Sequence, residues 1–487
     1  MISSRLVSMK WLRAMACFGV LLCVVFGSAS FAAIRQPGFP VPQIVGPTHP
    51  QAVAPGGPDF TLHVYGANFI NGSVVNWNRQ PRTTTFVSGH ELDAQILAAD
   101  IVGNTSGLIT VTTTSSNGPI ISSTFAQVEV HAPTATFSPG VVTGYPGGSG
   151  TVVLLGDVNG DGLLDFGIVS PGGFFLTILT YLGNPNGTFR TGQPASYIYY
   201  GQGPAELADF NGDGNQDVVF SVGRSFRQTG SRLQVNLGNG NDVFVPGSKF
   251  GFFPAYPSGL AIGDFNQDGI LDIATTPFGP RSVQMWLGNG DGSFQSGTPA
   301  KLGSPLGGLV TGDINGDGIL DLVEFTENSG ATGAELRTAL GNGDGTFQSM
   351  RSVTKVGQLG GAVPLLLTDL NGDGKLDIVY VDDSQIAVLI GNGDGTFRKP
   401  VFYDSGQPQG VGGFATADLN SDGNIDLMTT TTAGPTLGVL LGNGDGTFAP
   451  VQTSVNPGLC PIIKFGDFNH DGLIDVVSND NKVVLQQ

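Results

Sequence analysis

The stretch Asp157-Val158-Asn159-Gly160-Asp161-Gly162-Leu163-Leu164-Asp165 puts an oxygen-bearing side chain at positions 1, 3, 5 and 9, with glycine at position 6. Six more copies begin at Asp209, Asp264, Asp313, Asp369, Asp418 and Asp467, at steps of 52, 55, 49, 56, 49 and 49 residues. All seven read D-x-N-x-D-G-x-x-D. A repeat of this length is the mark of a propeller or solenoid, in which each unit is one supersecondary element unable to bury its apolar face alone.

The spacing has a chemical reason. Four side chains and the backbone carbonyl of position 7 can converge on one hard cation, and glycine at position 6 permits the sharp turn around it. Loop 1 offers Asp157, Asn159, Asp161 and Asp165 with the carbonyl of Leu163, and loop 2 offers Asp209, Asn211, Asp213 and Asp217 with that of Asn215. Loop 3 has Asp264, Asn266, Asp268, Asp272 and Ile270; loop 4 has Asp313, Asn315, Asp317, Asp321 and Ile319. Loop 5 has Asp369, Asn371, Asp373, Asp377 and Lys375; loop 6 has Asp418, Asn420, Asp422, Asp426 and Asn424. Loop 7 completes the set with Asp467, Asn469, Asp471, Asp475 and Leu473. Calcium suits these donors because it accepts many oxygens in a flexible geometry, whereas magnesium demands a tight octahedron. Up to seven Ca2+ are expected. The loop is not an EF-hand, since position 12 is Ile168 in the first copy and Thr275 in the third. Asn-Gly and Asp-Gly alone would also read as hairpin turns, but a turn does not need three fixed carboxylates.

The composition follows from the loops. The chain has 487 residues, 76 of them glycine, with 12% charged residues and a formal net charge of −18. Three Asp in each of seven loops account for 21 of the 39 acidic residues, and seven divalent ions would bring −18 to −4. An acidic chain of this kind argues against nucleic acid as partner.

Residues 1–32 read as a signal peptide. Arg5, Lys10 and Arg13 precede the apolar run Ala14 to Phe26, and Ser30-Phe31-Ala32 suits cleavage near Ala32. A retained N-terminal anchor is the alternative. The expected mature chain has no transmembrane span, keeps only Cys460 and therefore forms no internal disulfide, leaving calcium as the expected source of added stability. Residues 33–43 are a Pro-rich linker. Residues 44–131 alternate in short runs such as Phe60 to Val64, Ser73 to Trp77, Leu108 to Val111 and Phe125 to Val128, the pattern of a small antiparallel sandwich with Trp77 in its core. Gly56-Gly57 through Gly66-Ala67-Asn68-Phe69 resembles the immunoglobulin-like IPT/TIG modules. His49, His63, His90 and His131 show no metal-ligand spacing and read as incidental.

Residues 132–487 hold the repeats. The fifth shows the plan: Pro364 to Thr368 as strand 1, the Asp369 loop, Ile378 to Val381 as strand 2, Ile386 to Ile390 as strand 3, the turn Gly391 to Gly395, and Thr396-Phe397 opening strand 4. Four strands per unit describe a propeller blade. These units resemble the FG-GAP/VCBS repeats that build the integrin alpha-subunit propeller. The resemblance implies an all-β, seven-bladed propeller with calcium between strands 1 and 2 of each blade. Lys482 to Gln487 reads as a strand 3 without a successor, and Ala135-Thr136-Phe137-Ser138-Pro139-Gly140 is expected to supply the missing strand and close the ring.

Strand parity puts the metal loops and the 3–4 turns on one face, where Asp291, Asp344, Asp394 and Asp445 are expected to serve turn chemistry rather than the metal. Irregular connections occupy the other face. They include Val222 to Arg232, with Arg224, Arg227 and Arg232; Phe325 to Glu335; and the aromatics Tyr197, Tyr199, Tyr200, Phe250, Phe252, Phe253 and Tyr256, many of them expected in packing.

A single repeat-region histidine, His470, sits at position 4 of loop 7, and the paired carboxylates are committed to metal, so no catalytic constellation assembles. The chain is expected to be a non-enzymatic adhesion or protein-interaction module, secreted or at the cell surface, taking a protein or glycan ligand on a cell surface or matrix. A calcium-dependent lectin is the alternative, weakened because Trp286 is the only repeat-region Trp. A calcium-assisted polysaccharide lyase or hydrolase is the second.

Overall fold

The computed structural model describes residues 41–44, 48–103, 105–115, 118–122, 125–134, 137–147, 150–172, 175–197, 203–223, 230–254, 256–277, 282–301, 305–327, 333–357, 364–408, 410–431, 436–459 and 461–487. The expected signal peptide, nearly all of the expected linker, Cys460, Tyr199, Tyr200, Arg224 and Arg227 lie outside the described residues.

Every strand-forming run in the repeats is short and separated from the next by Gly, Asn and Asp, which permits only local antiparallel pairing. Among the described residues, seven antiparallel sheets of four or more strands result; six run through four strands in chain order, and the seventh takes its fourth strand from the start of the array. In the sheet of loop 2, Ala205–Ala208 pairs Asp217–Gly223, which pairs Ser231–Gly238, which pairs Phe244–Phe253. First strands of neighbouring sheets touch. Val152–Gly156 meets Ala205–Ala208, which meets Gly259–Gly263, then Pro305–Gly312, then Leu365–Thr368; Gly413–Ala417 meets Ile463–Gly466, which returns to Val152–Gly156. The array is all-β and propeller-like.

Burial follows strand position. Second strands lie between neighbouring sheets, so Asp217–Gly223, Asp272–Thr276 and Asp426–Thr430 are buried at every residue. The outermost strand Gln452–Val455 is exposed throughout. Apolar side chains of adjacent sheets interlock, as where Val219, Leu233 and Val235 of one meet Leu260, Leu271 and Ile273 of the next. Each such side chain stabilises by about 1.5–3 kcal/mol on burial.

The closing strand is Pro139–Gly144, paired antiparallel with Lys482–Gln486 across a bulge. It starts later than the segment read from sequence, because Phe137 is spent as a buried anchor ahead of it. Strand 4 of the fifth repeat is likewise displaced. Phe397 only bridges Gly391, and the strand proper is Val401–Asp404.

The N-terminal region forms two further sheets, one containing Phe60–Ala67 and Glu91–Ile96, the other Val74–Trp77, Thr105–Ser115 and Ala126–Val130. Leu62, Val64, Leu92 and Ile96 of the first share a core with Val75, Trp77, Ile109 and Val128 of the second. Trp77 is 2% exposed, a core residue as read. Gln43 pairs Ala67, so the first sheet begins inside the expected linker.

Candidate metal centre

Each nine-residue loop joins strand 1 to strand 2 of its sheet. Glycine at position 6 has positive φ in all seven copies, from Gly374 at 78° to Gly162 at 93°. Position 4 is left-handed as well, by glycine in loops 1, 2, 4 and 5 and by Gln267, Ser421 and His470 in loops 3, 6 and 7. Two such residues curl the chain around the position 1 carboxylate. In loop 1, Asp157 Oδ1 accepts the Gly160 and Asp161 amides at 2.7 and 3.2 Å, and Oδ2 accepts Gly162 at 2.9 Å. Asn159 Oδ1 accepts the Asp161 amide, and Asp161 Oδ1 accepts the Leu163 amide. Loops 2 and 4 repeat this pattern in full.

Position 9 carries a second duty. Asp377 Oδ2 accepts the Leu370 amide at 2.9 Å and Oδ1 accepts the Gly391 amide at 2.7 Å, so one carboxylate ties the loop to the end of strand 3. The same pair of bonds recurs for Asp165, Asp217, Asp272, Asp321, Asp426 and Asp475, with Gln486 replacing the glycine in the last. All seven are fully buried. Burial pushes Asp165, Asp217, Asp321 and Asp377 up to about 7, and Asp272, Asp426 and Asp475 to about 8, while backbone donors pull the other way. Burial also raises Asp264 to about 6 and Asp418 to about 7, with the neighbouring position 5 carboxylate adding to each shift. A buried position 9 carboxylate close to the carboxylates of positions 1 and 5 suits a bound divalent cation.

The loops brace one another around the array. At loops 1 to 4 the 3–4 turn of the following sheet reaches back: Asp242 N donates to Val158 O, Gly292 N to Phe210 O, Gly345 N to Phe265 O and Gly395 N to Ile314 O. Loop 6 receives Thr134 N on Asn420 O instead, from the lead-in to the closing strand. Turns and loops thus share one face. Asp291, Asp344, Asp394 and Asp445 accept the amide and hydroxyl of Ser293, Thr346, Thr396 and Thr447, which is turn chemistry.

That face is covered by the N-terminal sheets, a docking that sequence reading missed. Arg79 pairs with Asp157 Oδ2 and donates to Gly160 O at 2.6 Å. His90 Nδ1 lies 3.8 Å from Asp313 Oδ2 in loop 4. Glu129, 3% exposed, accepts Ser421 Oγ of loop 6 at 2.7 Å, and Gln127 Oε1 accepts the Asp467 amide of loop 7 at 3.0 Å. Burial, then the Asp418 charge, hold the Glu129 carboxyl well above the usual range. Val41 N donates to Gly269 O of loop 3. Beside loop 1 the docking leaves a cavity of about 340 Å³ whose lining includes Asn76, Arg79, Phe125, Asp157 and Asn215. Contacts such as Arg79 with Asp157 join residues 78 apart, and no short motif signals them.

Of the aromatics read for the opposite face, Phe250 and Phe253 are buried against Trp286, and Phe252 is 60% exposed. Trp286 Nε1 donates to Thr275 Oγ1, a packing role.

The FG-GAP-like repeat family matches residues 157–220, 209–275, 264–324 and 369–429. Those segments are therefore similar to FG-GAP-like repeats. No curated protein matches it. Solved structures similar to it include an Agrocybe aegerita lectin that recognises non-reducing terminal N-acetylglucosamine, at 19% identity over 79% of this chain and 95% of that one, TM-score 0.45. An auxiliary nutrient binding protein from Bacteroides ovatus is 12% identical over 93% of this chain and 99% of its own, TM-score 0.36. A periplasmic gluconolactonase from Pseudomonas aeruginosa is 14% identical over 72% and 93%, TM-score 0.41. At such identities and TM-scores these likenesses assign no function.

Proposed function

We propose that this chain is an exported, calcium-stabilised interaction module: a seven-bladed propeller that binds Ca2+ in its loops, carries an immunoglobulin-like N-terminal sandwich, and adheres to a cell-surface or matrix ligand. The observation that supports it most is the docking of the N-terminal sheets on loops 1, 3, 4, 6 and 7, which leaves partners the rim and the opposite face. Buried position 9 carboxylates, with position 1 also buried in loops 2, 3, 5, 6 and 7, support the calcium assignment, because desolvated charges need a counter-ion. Irregular connections suit recognition since they vary without disturbing the sheets. The test is binding of the mature chain to cells and matrix polymers, in calcium and in chelator, before and after shortening of residues 224–229 of the Val222 to Arg232 connection, which lie outside the two strands. Lost binding with unchanged calcium-loaded stability is the expected result; retained binding excludes that face.

A lectin is the second reading, favoured by the cavity beside loop 1. Its lining pairs amide side chains with Phe125, a mixture that suits a small polar ring. A glycan panel separates the two, since a sugar ligand gives a signal there and a protein receptor gives none.

A further inference from the structure

The N-terminal sheets hold a cluster of ligating side chains that the loops do not use. Alternation along Phe60–Ala67 sends Leu62 and Val64 into the core and turns His63 and Tyr65 outward. On Glu91–Ile96 the same rule buries Leu92 and Ala94 and turns out Glu91 and Asp93. The register sets His63 opposite Asp93 and Tyr65 opposite Glu91, which makes neighbours of residues about thirty positions apart. His63 Nδ1 lies 2.8 Å from Asp93 Oδ1 and 3.4 Å from Glu91 Oε1. One donor atom from each residue falls within 4.8 Å of the other two.

We propose that His63, Glu91 and Asp93 form a site for one divalent transition-metal ion of the Zn2+ type, with water completing its coordination. Ligands held about 2.0–2.2 Å from a common ion sit roughly 3–3.5 Å from one another, which these separations approach. Two carboxylates beside one neutral imidazole leave a net negative site, and the imidazole nitrogen favours a borderline metal over calcium or magnesium. The donors stand on paired strands whose backbone is already fixed. His49 adds a second imidazole nearby: its backbone bridges His63 in both directions at 2.9 Å, with the ring centroids 6.4 Å apart.

The test titrates the full chain with Co2+ in excess calcium, reading visible absorption, and with Zn2+ by calorimetry. One equivalent of Co2+ with nitrogen-ligand absorption is expected, lost in His63→Ala and in Asp93→Asn and kept in His131→Ala and His470→Ala. His63→Gln, which retains the side chain's polar reach, provides the control should His63→Ala misfold, and it loses the signal too. A bare His63–Asp93 hydrogen bond with no metal role predicts no absorption in any variant, and that result overturns the proposal. So does absorption that survives His63→Gln. The outcome is independent of calcium in the loops, whose side-chain donors are oxygens.

Discussion

Arg79 and Asp157 form an ion pair that carries a guanidinium from the N-terminal sheets into the first nine-residue loop. The same side chain donates to the Gly160 carbonyl, which holds it against Asp157, whose oxygens a calcium ion would use. Two cations do not share those oxygens. Arg79→Ala is expected to add one calcium equivalent, or tighten the weakest site, by calorimetric titration; unchanged stoichiometry and affinity would show that Arg79 and calcium do not compete.

Calcium removal should cost much of the fold's stability. A site that binds only the folded chain adds RT ln(1 + [L]/Kd), about 1.4 kcal/mol at tenfold excess, so seven independent sites add on the order of 10 kcal/mol. A chelator is expected to lower Tm by more than about 10 °C in scanning calorimetry. An unchanged melt removes calcium from the account.

Position 9 and position 5 should separate structural from metal roles. Asp377→Ala strands two backbone amides, at about 1–3 kcal/mol each, and is expected to destabilise by about 2–5 kcal/mol even in chelator. Asp373 is exposed and pairs with Lys375, so Asp373→Ala should cost less than about 1 kcal/mol there. Urea unfolding in chelator checks both; equal losses would refute the brace.

The position 9 carboxyls also set a pH dependence. Their folded values of about 7 to 8 stand above the ordinary aspartate value, so between about pH 4 and 8 the metal-free folded chain holds more protons than the unfolded one. Metal-free stability therefore falls as pH rises through that window and levels off above it. Calcium displaces those protons, so the gain in Tm on adding calcium should grow from pH 5 to pH 8. Calorimetry at the two pH values, with and without calcium, decides it; a gain that shrinks with pH contradicts these positions.

The repeat, the loops and the four-strand plan were legible because each rests on local rules that recur seven times. The double duty of Asp377 was not, since its partner Gly391 joins it only after strands 2 and 3 pair. Position 4 varies in residue type, yet Gln267, Ser421 and His470 adopt the backbone that glycine takes elsewhere, and only coordinates show such a constraint. His63 read as incidental because Asp93 is distant in sequence: Phe60 to Val64 read as a strand, but nothing in the sequence set it in register with Glu91–Ile96. The docking of Arg79, Gln127 and Glu129 on the loops is a tertiary event that leaves no periodic trace.

The pairing of Pro139–Gly144 with Lys482–Gln486 is also a matter of timing. A chain delivered N-terminus first has its closing strand in hand early and waits for more than three hundred residues before the partner arrives. Until then one sheet edge stays open and available to a wrong neighbour. Successive sheets can form during that wait, but Lys482–Gln486 is the clasp.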